Sequence, residues 1–284
     1  MPNNETSMKV GEGLVPSRAG ASPAPTSGLE TGKPLVEIRD VTFGYGREVV
    51  LDHVSLEIGA RDFLAVIGPN GGGKTTLLKA ILGLVSPWSG EVVYNLPSGH
   101  DPRGRLGYVP QFSTFDRDFP LRISDMVLMG RLGRRNLLRP YSREDRAAAE
   151  RTIDRLGLAG VARAHASEVS GGQLQRALIA RALVGDPEIL FLDEPTASID
   201  AESRETLRDL LADLNRTIPI VVVTHDITSL APMVRRIACI NRKLFYHGDP
   251  ELSLEVMEEV YGCPVELVTH GVPHRVLHDH HHHH

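Results

Sequence analysis

The sequence predicts an α/β fold with a mostly parallel sheet and an antiparallel β region at one edge. Short and almost wholly apolar runs have the composition of parallel strands that are covered on both faces; these runs span 63–67, 189–192 and 218–223. Segments with helical periodicity follow or separate them, at 75–85, 143–156, 171–184 and 201–214. Nearer the start, apolar and polar residues alternate at 36–43 and 49–58, which predicts the antiparallel strands.

Composition divides the 284 residues of the chain into three parts. Residues 1–33 are rich in Pro, Gly, Ser and Thr, with too few large apolar side chains to offset the entropy of ordering, so we predict a disordered tail. Residues 34–250 carry the predicted strands and helices and form the folded domain. Residues 251–284 form a C-terminal extension that ends in HDHHHHH.

Charge and cysteine content argue against several classes of protein. The net charge of -5 and the pI near 6.2 leave no basic excess for neutralising a phosphodiester backbone, so no nucleic-acid partner is expected. Cys239 and Cys263 are too few for a disulfide scaffold, which fits a reducing cytosol. No apolar run approaches the roughly 18 residues that span a bilayer, and the first ten residues lack the apolar core of a secretory signal. Any role at a membrane would therefore require partners.

The segment GPNGGGKTT at 68–76 matches the phosphate-binding pattern GxxxxGK[ST]. It follows the predicted strand FLAVI and opens a predicted helix, which is the context that the motif requires. Consecutive main-chain N–H groups at a helix N-terminus attract anions, and glycine lets phosphate oxygens approach them. Lys74 is expected to bridge the β- and γ-phosphates of a nucleotide, Thr75 to hold Mg²⁺, and Thr76 to contact the α-phosphate. The predicted nucleotide-binding residues of this loop are Gly68, Pro69, Asn70, Gly71, Gly72, Gly73, Lys74, Thr75 and Thr76. The structural alternative is a glycine-rich turn that caps the helix.

Polar side chains also follow the other two apolar runs. Asp193 and Glu194 come directly after the strand ILFL, and His225 follows the strand at 218–223. Ligands of parallel sheets gather at these carboxyl ends. Asp193 is therefore expected to coordinate Mg²⁺ through water, Glu194 to act as the general base towards the attacking water, and His225 to contact the γ-phosphate. Taken alone, an acidic pair here would be a turn or a helix cap, and a lone histidine a turn residue.

The segment VSGGQLQR at 169–176 predicts a second helix N-terminus that binds an anion. Ser170 and Gln173 have the spacing of a capping box. Capping does not explain Gly171 and Gly172, since glycine in a helix costs up to about 1 kcal/mol relative to alanine. An anion that approaches this N-terminus would explain them.

In their order along the chain, these motifs resemble those of the nucleotide-binding subunits of ABC transporters, over roughly residues 35–250. VSGGQLQR is close to the LSGGQ signature of that family. The resemblance implies a P-loop NTPase (RecA-like) core with an inserted α-helical subdomain at about 112–185. It implies ATP and Mg²⁺ as cofactors and a head-to-tail homodimer. Each ATP would then lie between the Lys74 loop of one copy and Ser170, Gly171, Gly172 and Gln173 of the other.

Three further positions match motifs of the same family. Tyr45 in FGYG resembles the aromatic residue that stacks on adenine, Gln111 in YVPQ resembles the Q-loop glutamine, and Asp200 in ASID resembles the D-loop aspartate. The resemblance implies that Gln111 serves at the metal and in catalysis and that Asp200 lies near the nucleotide. Each residue also has a purely structural interpretation. Tyr45 would be an aromatic residue of an edge strand, Gln111 would end a strand, and Asp200 would be a helix N-cap.

The segment at 112–131 is similar to the corresponding stretch of zinc- and manganese-type ABC importers. This resemblance implies a subunit docked on an integral-membrane permease at the cytoplasmic face of the membrane, together with an extracytoplasmic metal-binding protein. An iron chelate or another solute is the alternative cargo. This region includes Arg131, Arg134, Arg135 and Arg139. These arginines either form a solvated helix face or contact the permease or lipid head groups.

Two other kinds of ABC ATPase fit the sequence less well. Soluble relatives that act in DNA repair or translation usually carry two cores or a long coiled-coil insertion, whereas Lys74 and Ser170 stand only 170 − 74 = 96 positions apart. A catalytically inactive scaffold would not need Lys74, Asp193, Glu194 and His225 together.

The histidines of the C-terminal extension do not carry the function. His270, His274 and His278 have a spacing of four, but Pro273 disfavours an uninterrupted helix there. Residues 280–284 are either a native metal-buffering tail or part of a purification tag.

Overall fold

The computed structural model describes residues 33–111, 120–132, 140–197, 199–225 and 230–248, with only the main chain at Tyr246. The strands of this part are β1 (Val36–Tyr45), β2 (Glu48–Ile58), β3 (Phe63–Ile67), β4 (Ser89–Tyr94), β5 (Leu106–Val109), β6 (Ile189–Asp193), β7 (Ile220–Val223), β8 (Arg236–Asn241) and β9 (Lys243–Gly248). The helices are α1 (Lys74–Ile81), α2 (Ile123–Met129), α3 (Arg143–Arg155), α4 (Gly171–Leu183) and α5 (Ala201–Leu214), and a 3₁₀ turn spans Ala159–Val161. The tail at 1–32, Cys263 and the histidines beyond residue 250 lie outside the described residues.

The strands form two sheets. The larger has the order β5-β6-β7-β3-β8-β9; its first five strands are parallel, and β9 pairs antiparallel with β8. The smaller is antiparallel, with the order β2-β1-β4. The predicted α/β fold with a mostly parallel sheet and an antiparallel region is therefore confirmed. The sequence did not predict β4, β5, β8 or β9, which are four to six residues long and contain Gly, Arg or Asn inside the strand or at its ends.

Successive residues of the central strands enter two different cores, as the two-residue period of a strand requires. On one face of β3, Phe63, Ala65 and Ile67 pack with α2, α3, α4 and α5. On the other face, Leu64 and Val66 pack with α1 and with the smaller sheet. All five side chains of β3 are buried, which is why it has no polar position.

Helix α1 ends four residues before its predicted end at 85. Gly83 has a φ of 68°, its N–H donates to the Ala80 carbonyl at 2.9 Å, and the Leu84 N–H donates to the Lys79 carbonyl at 2.9 Å. This is a Schellman motif, in which glycine takes the left-handed position and ends the helix. Helix α5 has its predicted bounds, and α3 and α4 each end one residue early.

Helices α2, α3 and α4 lie in the chain between β5 and β6, where the inserted helical subdomain was predicted; its bounds at about 112 and 185 remain a prediction. Arg131 is not a solvated residue in this region, because only 16% of its side chain is exposed. Its guanidinium donates to Asp145 Oδ1 at 3.0 Å and to the Val184 carbonyl at 3.0 Å. It thus ties the end of α2 to α3 and α4. Arg134, Arg135 and Arg139 lie outside the described residues.

Gly130→Ala is expected to lower the free energy of unfolding by about 1–3 kcal/mol. A Cβ at Gly130 would lie 1.9 Å from the Arg181 carbonyl oxygen and 2.5 Å from Val184 Cγ1, so α2 and α4 could not keep their close approach. Gly130 has helical φ and ψ, so alanine adds no backbone strain and the cost is purely steric. Urea unfolding measures the loss. Gly160→Ala is the control, since nothing lies within 4 Å of its added Cβ; an equal loss there would contradict the packing argument.

A buried polar cluster joins β8, β9 and the turn before β3. Arg236 Nη1 lies 2.8 Å from Asp62 Oδ2, which also accepts from the Gly59 N–H at 2.7 Å. Arg236 Nη2 contacts the His247 ring. Burial and the neighbouring Arg236 lower the pKa of His247 to about 3. His247 is therefore neutral in the folded protein at neutral pH, as an acceptor for the arginine requires.

The buried His247 predicts a loss of stability in acid. The unfolded chain protonates this imidazole near pH 6.5, and the folded protein only near pH 3, so the unfolded chain binds more protons between these values. The free energy of unfolding should thus fall by up to about 1.4 kcal/mol per pH unit as the pH drops from about 6.5 towards 3. Urea unfolding at several pH values from 7.5 to 4.5 measures the slope. His247→Gln should reduce it, whereas the same change at the exposed His100 should not; an unchanged slope in His247→Gln would refute the assignment.

The described part of the chain contains no helix with both the length and the apolar character needed to cross a lipid bilayer.

Candidate nucleotide-binding site

A cleft of about 430 Å³ lies at the carboxyl ends of the central strands. Because β3, β6 and β7 are parallel neighbours, the segments that follow them meet at one edge of the sheet. Ten residues that the sequence predicted for the site line the cleft: Asn70, Gly71, Gly73, Lys74, Thr75, Thr76, Gln111, Asp193, Glu194 and His225. The structure therefore brings the phosphate loop, the acidic pair, the glutamine and the histidine together.

Lys74 lies at the start of α1 and folds back over the loop that precedes it. Its Nζ donates to the carbonyl oxygens of Gly68 at 2.8 Å and Pro69 at 2.9 Å, and the residue is 7% exposed. Burial lowers the pKa of Lys74, and the charges of Glu194 and Asp193 partly oppose this. The two carbonyl oxygens are the acceptors with which phosphate oxygens would compete for this ammonium group.

The glycines of the loop serve two different purposes. A Cβ at Gly68 would lie 1.9 Å from the Ile240 carbonyl oxygen, so glycine lets the loop pack directly on β8. At Gly71 the φ is 78° and nothing lies within 4 Å of an added Cβ, so the loop is open beside this residue. The loop therefore rests on the sheet at one end and offers its main chain to a ligand further along. This fits the approach of phosphate groups.

Thr75 and Asp193 face each other across the cleft. The Thr75 hydroxyl donates to Asp193 Oδ2 at 3.4 Å, and the aspartate is 5% exposed. Burial, and to a smaller extent the charge of Glu194, raise the pKa of Asp193. A cation would stabilise the charge of the buried Asp193 carboxylate, which stands beside that of Glu194. The oxygens of the Thr75 hydroxyl, the Gln111 amide and the Asp193 carboxylate are of the kind that Mg²⁺ prefers as ligands. These residues fit a bound Mg²⁺.

Glu194 and His225 are neighbours in the cleft. His225 Nδ1 lies 2.8 Å from Glu194 Oε2, but the direction of this contact does not satisfy hydrogen-bond geometry. Oε2 is fully buried and accepts no hydrogen bond from the protein. Glu194 has a φ of 50°, which costs a non-glycine residue roughly 1 kcal/mol, and its N–H is held by the Val223 carbonyl at 2.8 Å. Backbone strain of this kind is concentrated at functional sites, and a carboxylate in a cleft can accept a proton from water.

Other predicted residues do not line this cleft. Tyr45 is at the end of β1 with 52% of its surface exposed. Asp200 is the N-cap of α5, where it accepts from the Ser203 N–H at 2.9 Å. The signature residues stand at the start of α4.

The predicted capping box at α4 is present. Ser170 Oγ accepts from the Gln173 N–H at 3.2 Å, and Gln173 Oε1 accepts from the Ser170 N–H at 2.9 Å. Gly172 has a structural reason that the sequence did not reveal, because a Cβ there would lie 2.2 Å from Ser203 Oγ. Close packing of α4 on α5 thus explains this glycine without an anion.

Two residues near the site were not predicted. Val50 lines the cleft beside the phosphate loop, and no motif of the sequence indicated it. Tyr108 on β5 pairs with Phe191 of β6, two residues before Asp193, so its hydroxyl extends towards the Asp193 carboxylate. Burial and the charge of Asp193 raise the pKa of Tyr108 to about 12, so the hydroxyl keeps its proton at neutral pH. Its position three residues before Gln111 was the one signal available.

Comparison with known proteins identifies the family of the chain. The ABC transporter family model matches residues 51–197. The metal transport system ATP-binding protein of Chlamydia trachomatis is 39% identical over 209 residues, which are 73% of this chain and 88% of that protein. The manganese transport system ATP-binding protein MntB of Bacillus subtilis is 37% identical over 230 residues (80% and 92%). The zinc transport system ATP-binding protein TroB of Treponema pallidum is 39% identical over 232 residues (80% and 86%).

Solved structures show the same fold. A chain of a metal-chelate type ABC transporter in an inward-facing conformation superposes with a TM-score of 0.73 at 28% identity, over 82% of this chain and 90% of that one. An ATP-binding cassette in a dimeric post-hydrolysis state, bound to ADP and phosphate, superposes with a TM-score of 0.63 at 28% identity, over 77% and 100%. This chain therefore belongs to the ABC transporter family, as one of its ATP-binding and ATP-hydrolysing members.

Proposed function

We propose that ATP hydrolysis by this chain drives the import of a divalent metal ion, zinc or manganese, through a membrane permease. The observation that carries the metal assignment is the set of relatives at 37–39% identity, whose names specify metal, manganese and zinc transport. Each of these relatives is matched over at least 86% of its length, so the likeness covers nearly the whole protein.

The cleft supports a division of roles in ATP binding. Lys74 and the main-chain N–H groups of residues 71–76 hold the phosphates, with Gly71 facing the open side of the loop. Thr75, Gln111 and Asp193 would hold a Mg²⁺ ion, which would supply positive charge beside the phosphates. Tyr45 stacks on the adenine from the end of β1.

For hydrolysis, the carboxylate of Glu194 accepts the proton of the attacking water, whose oxygen forms a bond to the γ-phosphorus. The bond from that phosphorus to the bridging oxygen breaks, and ADP leaves with the electron pair. His225, 2.8 Å from Glu194 Oε2, is placed to contact the γ-phosphate and to orient the water.

The residues that lie outside the cleft support a head-to-tail homodimer. Ser170, Gly171, Gly172 and Gln173 begin α4, and Asp200 begins α5, so a second copy could present both N-termini to the ATP of the first. Closure around ATP and reopening after hydrolysis would then move the permease, docked at the cytoplasmic face, between its two accessible states.

The test is to reconstitute the chain with its permease in lipid vesicles and to measure ATPase activity with an extracytoplasmic binding protein loaded with one cargo at a time. Zinc or manganese is expected to give the largest stimulation. Glu194→Gln in the same vesicles is the control, because stimulation must depend on hydrolysis by this chain. Stimulation by a solute without metal, and by none of the metals, would refute the assignment.

An iron chelate is the second candidate cargo. The likeness at 28% identity to a chain of a metal-chelate type transporter favours it. A ferric chelate in the same reconstituted assay separates the two candidates, since its binding protein would stimulate hydrolysis where the zinc- and manganese-loaded forms would not.

A further inference from the structure

Tyr108 and Asp193 share one face of two neighbouring strands. In the parallel pair of β5 and β6, Tyr108 stands opposite Phe191, and Asp193 lies two residues further along β6. Residues two apart point to the same face, and a long side chain reaches its diagonal neighbour across the strands. Tyr108 packs with the core on the α1 side of the sheet, which contains Phe191. The tyrosine therefore extends towards the carboxylate from the edge strand.

The Asp193 carboxylate needs such a donor. It is 5% exposed and stands next to Glu194, and its contact with the Thr75 hydroxyl is long, at 3.4 Å. The register of β5 on β6 brings the Tyr108 hydroxyl towards the same carboxylate, and this hydroxyl can only act on a carboxylate as a donor. A carboxylate approached by two donors from different elements has less freedom to rotate than one held by a single long contact.

We propose that Tyr108 is a positioning residue that holds the Asp193 carboxylate in the orientation with which it serves the Mg²⁺ of the bound nucleotide. This inference rests on the proposed role of Asp193 at the metal. Groups that orient metal-binding side chains typically change metal affinity by about 10- to 100-fold when they are removed.

The Tyr108 ring has a separate packing role that the test must preserve. The ring packs in the core on the α1 side of the sheet, and Tyr108 as a residue also lines a second cleft of about 370 Å³ between β5 and the ends of α2 and α4. Phenylalanine keeps the ring in both surroundings and removes only the hydroxyl. Tyr108→Phe therefore isolates the contact with Asp193.

The experiment measures metal and nucleotide affinity separately. Mn²⁺ replaces Mg²⁺, and its binding to the full chain loaded with a non-hydrolysable ATP analogue is followed by electron paramagnetic resonance. Tyr108→Phe is expected to weaken Mn²⁺ binding about 10-fold. Affinity for the analogue in EDTA, measured by calorimetry, should stay within about 2-fold, because the phosphate loop is unchanged.

Two further variants make the result decisive. Tyr94→Phe removes another half-buried hydroxyl, which donates to the Ile81 carbonyl at 2.7 Å, and should leave Mn²⁺ affinity unchanged. Asp193→Asn tests the proposed metal role itself. If Asp193→Asn weakens Mn²⁺ binding and Tyr108→Phe does not, or if Tyr94→Phe weakens it equally, the inference about Tyr108 is wrong. If Asp193→Asn has no effect, the metal role of Asp193 is wrong.

Discussion

Glu194→Gln is expected to lower kcat for ATP hydrolysis by about 10²- to 10⁴-fold, the usual contribution of a general base. The amide keeps the shape of the side chain but cannot take a proton from water. Because Lys74 and the phosphate loop are untouched, ATP should still bind, and its affinity should remain within a few-fold of the parent value. Steady-state phosphate release gives kcat, and calorimetry gives the affinity.

The same variant tests the homodimer. If two copies close around ATP and reopen only after hydrolysis, Glu194→Gln should accumulate as a dimer in ATP and Mg²⁺, which light scattering after gel filtration would detect. Glu205→Gln, an exposed position on α5, is the matched control and should retain parental turnover. Equal rates for Glu194→Gln and the parent would remove Glu194 as the base.

The central strands were predictable because burial leaves little choice of residue. Strand β3 is covered on both faces, so its sequence FLAVI has no polar position. For the same reason β7 is wholly apolar, and β6 is apolar up to its last residue, Asp193. Parallel pairing then requires that the segments after these strands meet. The cleft that joins Lys74, Asp193 and His225 follows from this topology.

Features that depend on register or on packing between distant elements were not predictable. Nothing in the strand LGYV indicates that it lies at the sheet edge beside β6, so the approach of Tyr108 to Asp193 could not be foreseen. The same applies to Gly172, whose missing Cβ makes room for Ser203. Local signals were more informative at helix ends, where the capping-box spacing of Ser170 and Gln173 and the candidate N-cap Asp200 indicated the starts of α4 and α5.

Arg236→Met is expected to lower the free energy of unfolding by about 3–5 kcal/mol, the loss that follows removal of one partner of a buried ion pair. The side chains of Arg236 and Asp62 are each 7% exposed, so water cannot replace the lost guanidinium. Asp62 would keep the Gly59 N–H as a donor but would carry an uncompensated charge, and the His247 ring would lose its contact with Arg236. Methionine retains most of the apolar stem of the arginine, so the loss reports the charge more than the packing.

Urea unfolding at pH 7.5 measures this loss, and two further variants identify its cause. Arg242→Met breaks an exposed pair with Glu48, at 3.4 Å, and should change stability by less than about 1 kcal/mol, because exposed ion pairs contribute little. Asp62→Asn combined with Arg236→Met should be more stable than Arg236→Met alone, since the neutral amide still accepts from Gly59 and leaves no buried charge. If the double variant lost the sum of two independent penalties, the instability would come from lost packing at β8, and the unpaired carboxylate of Asp62 would not be its cause.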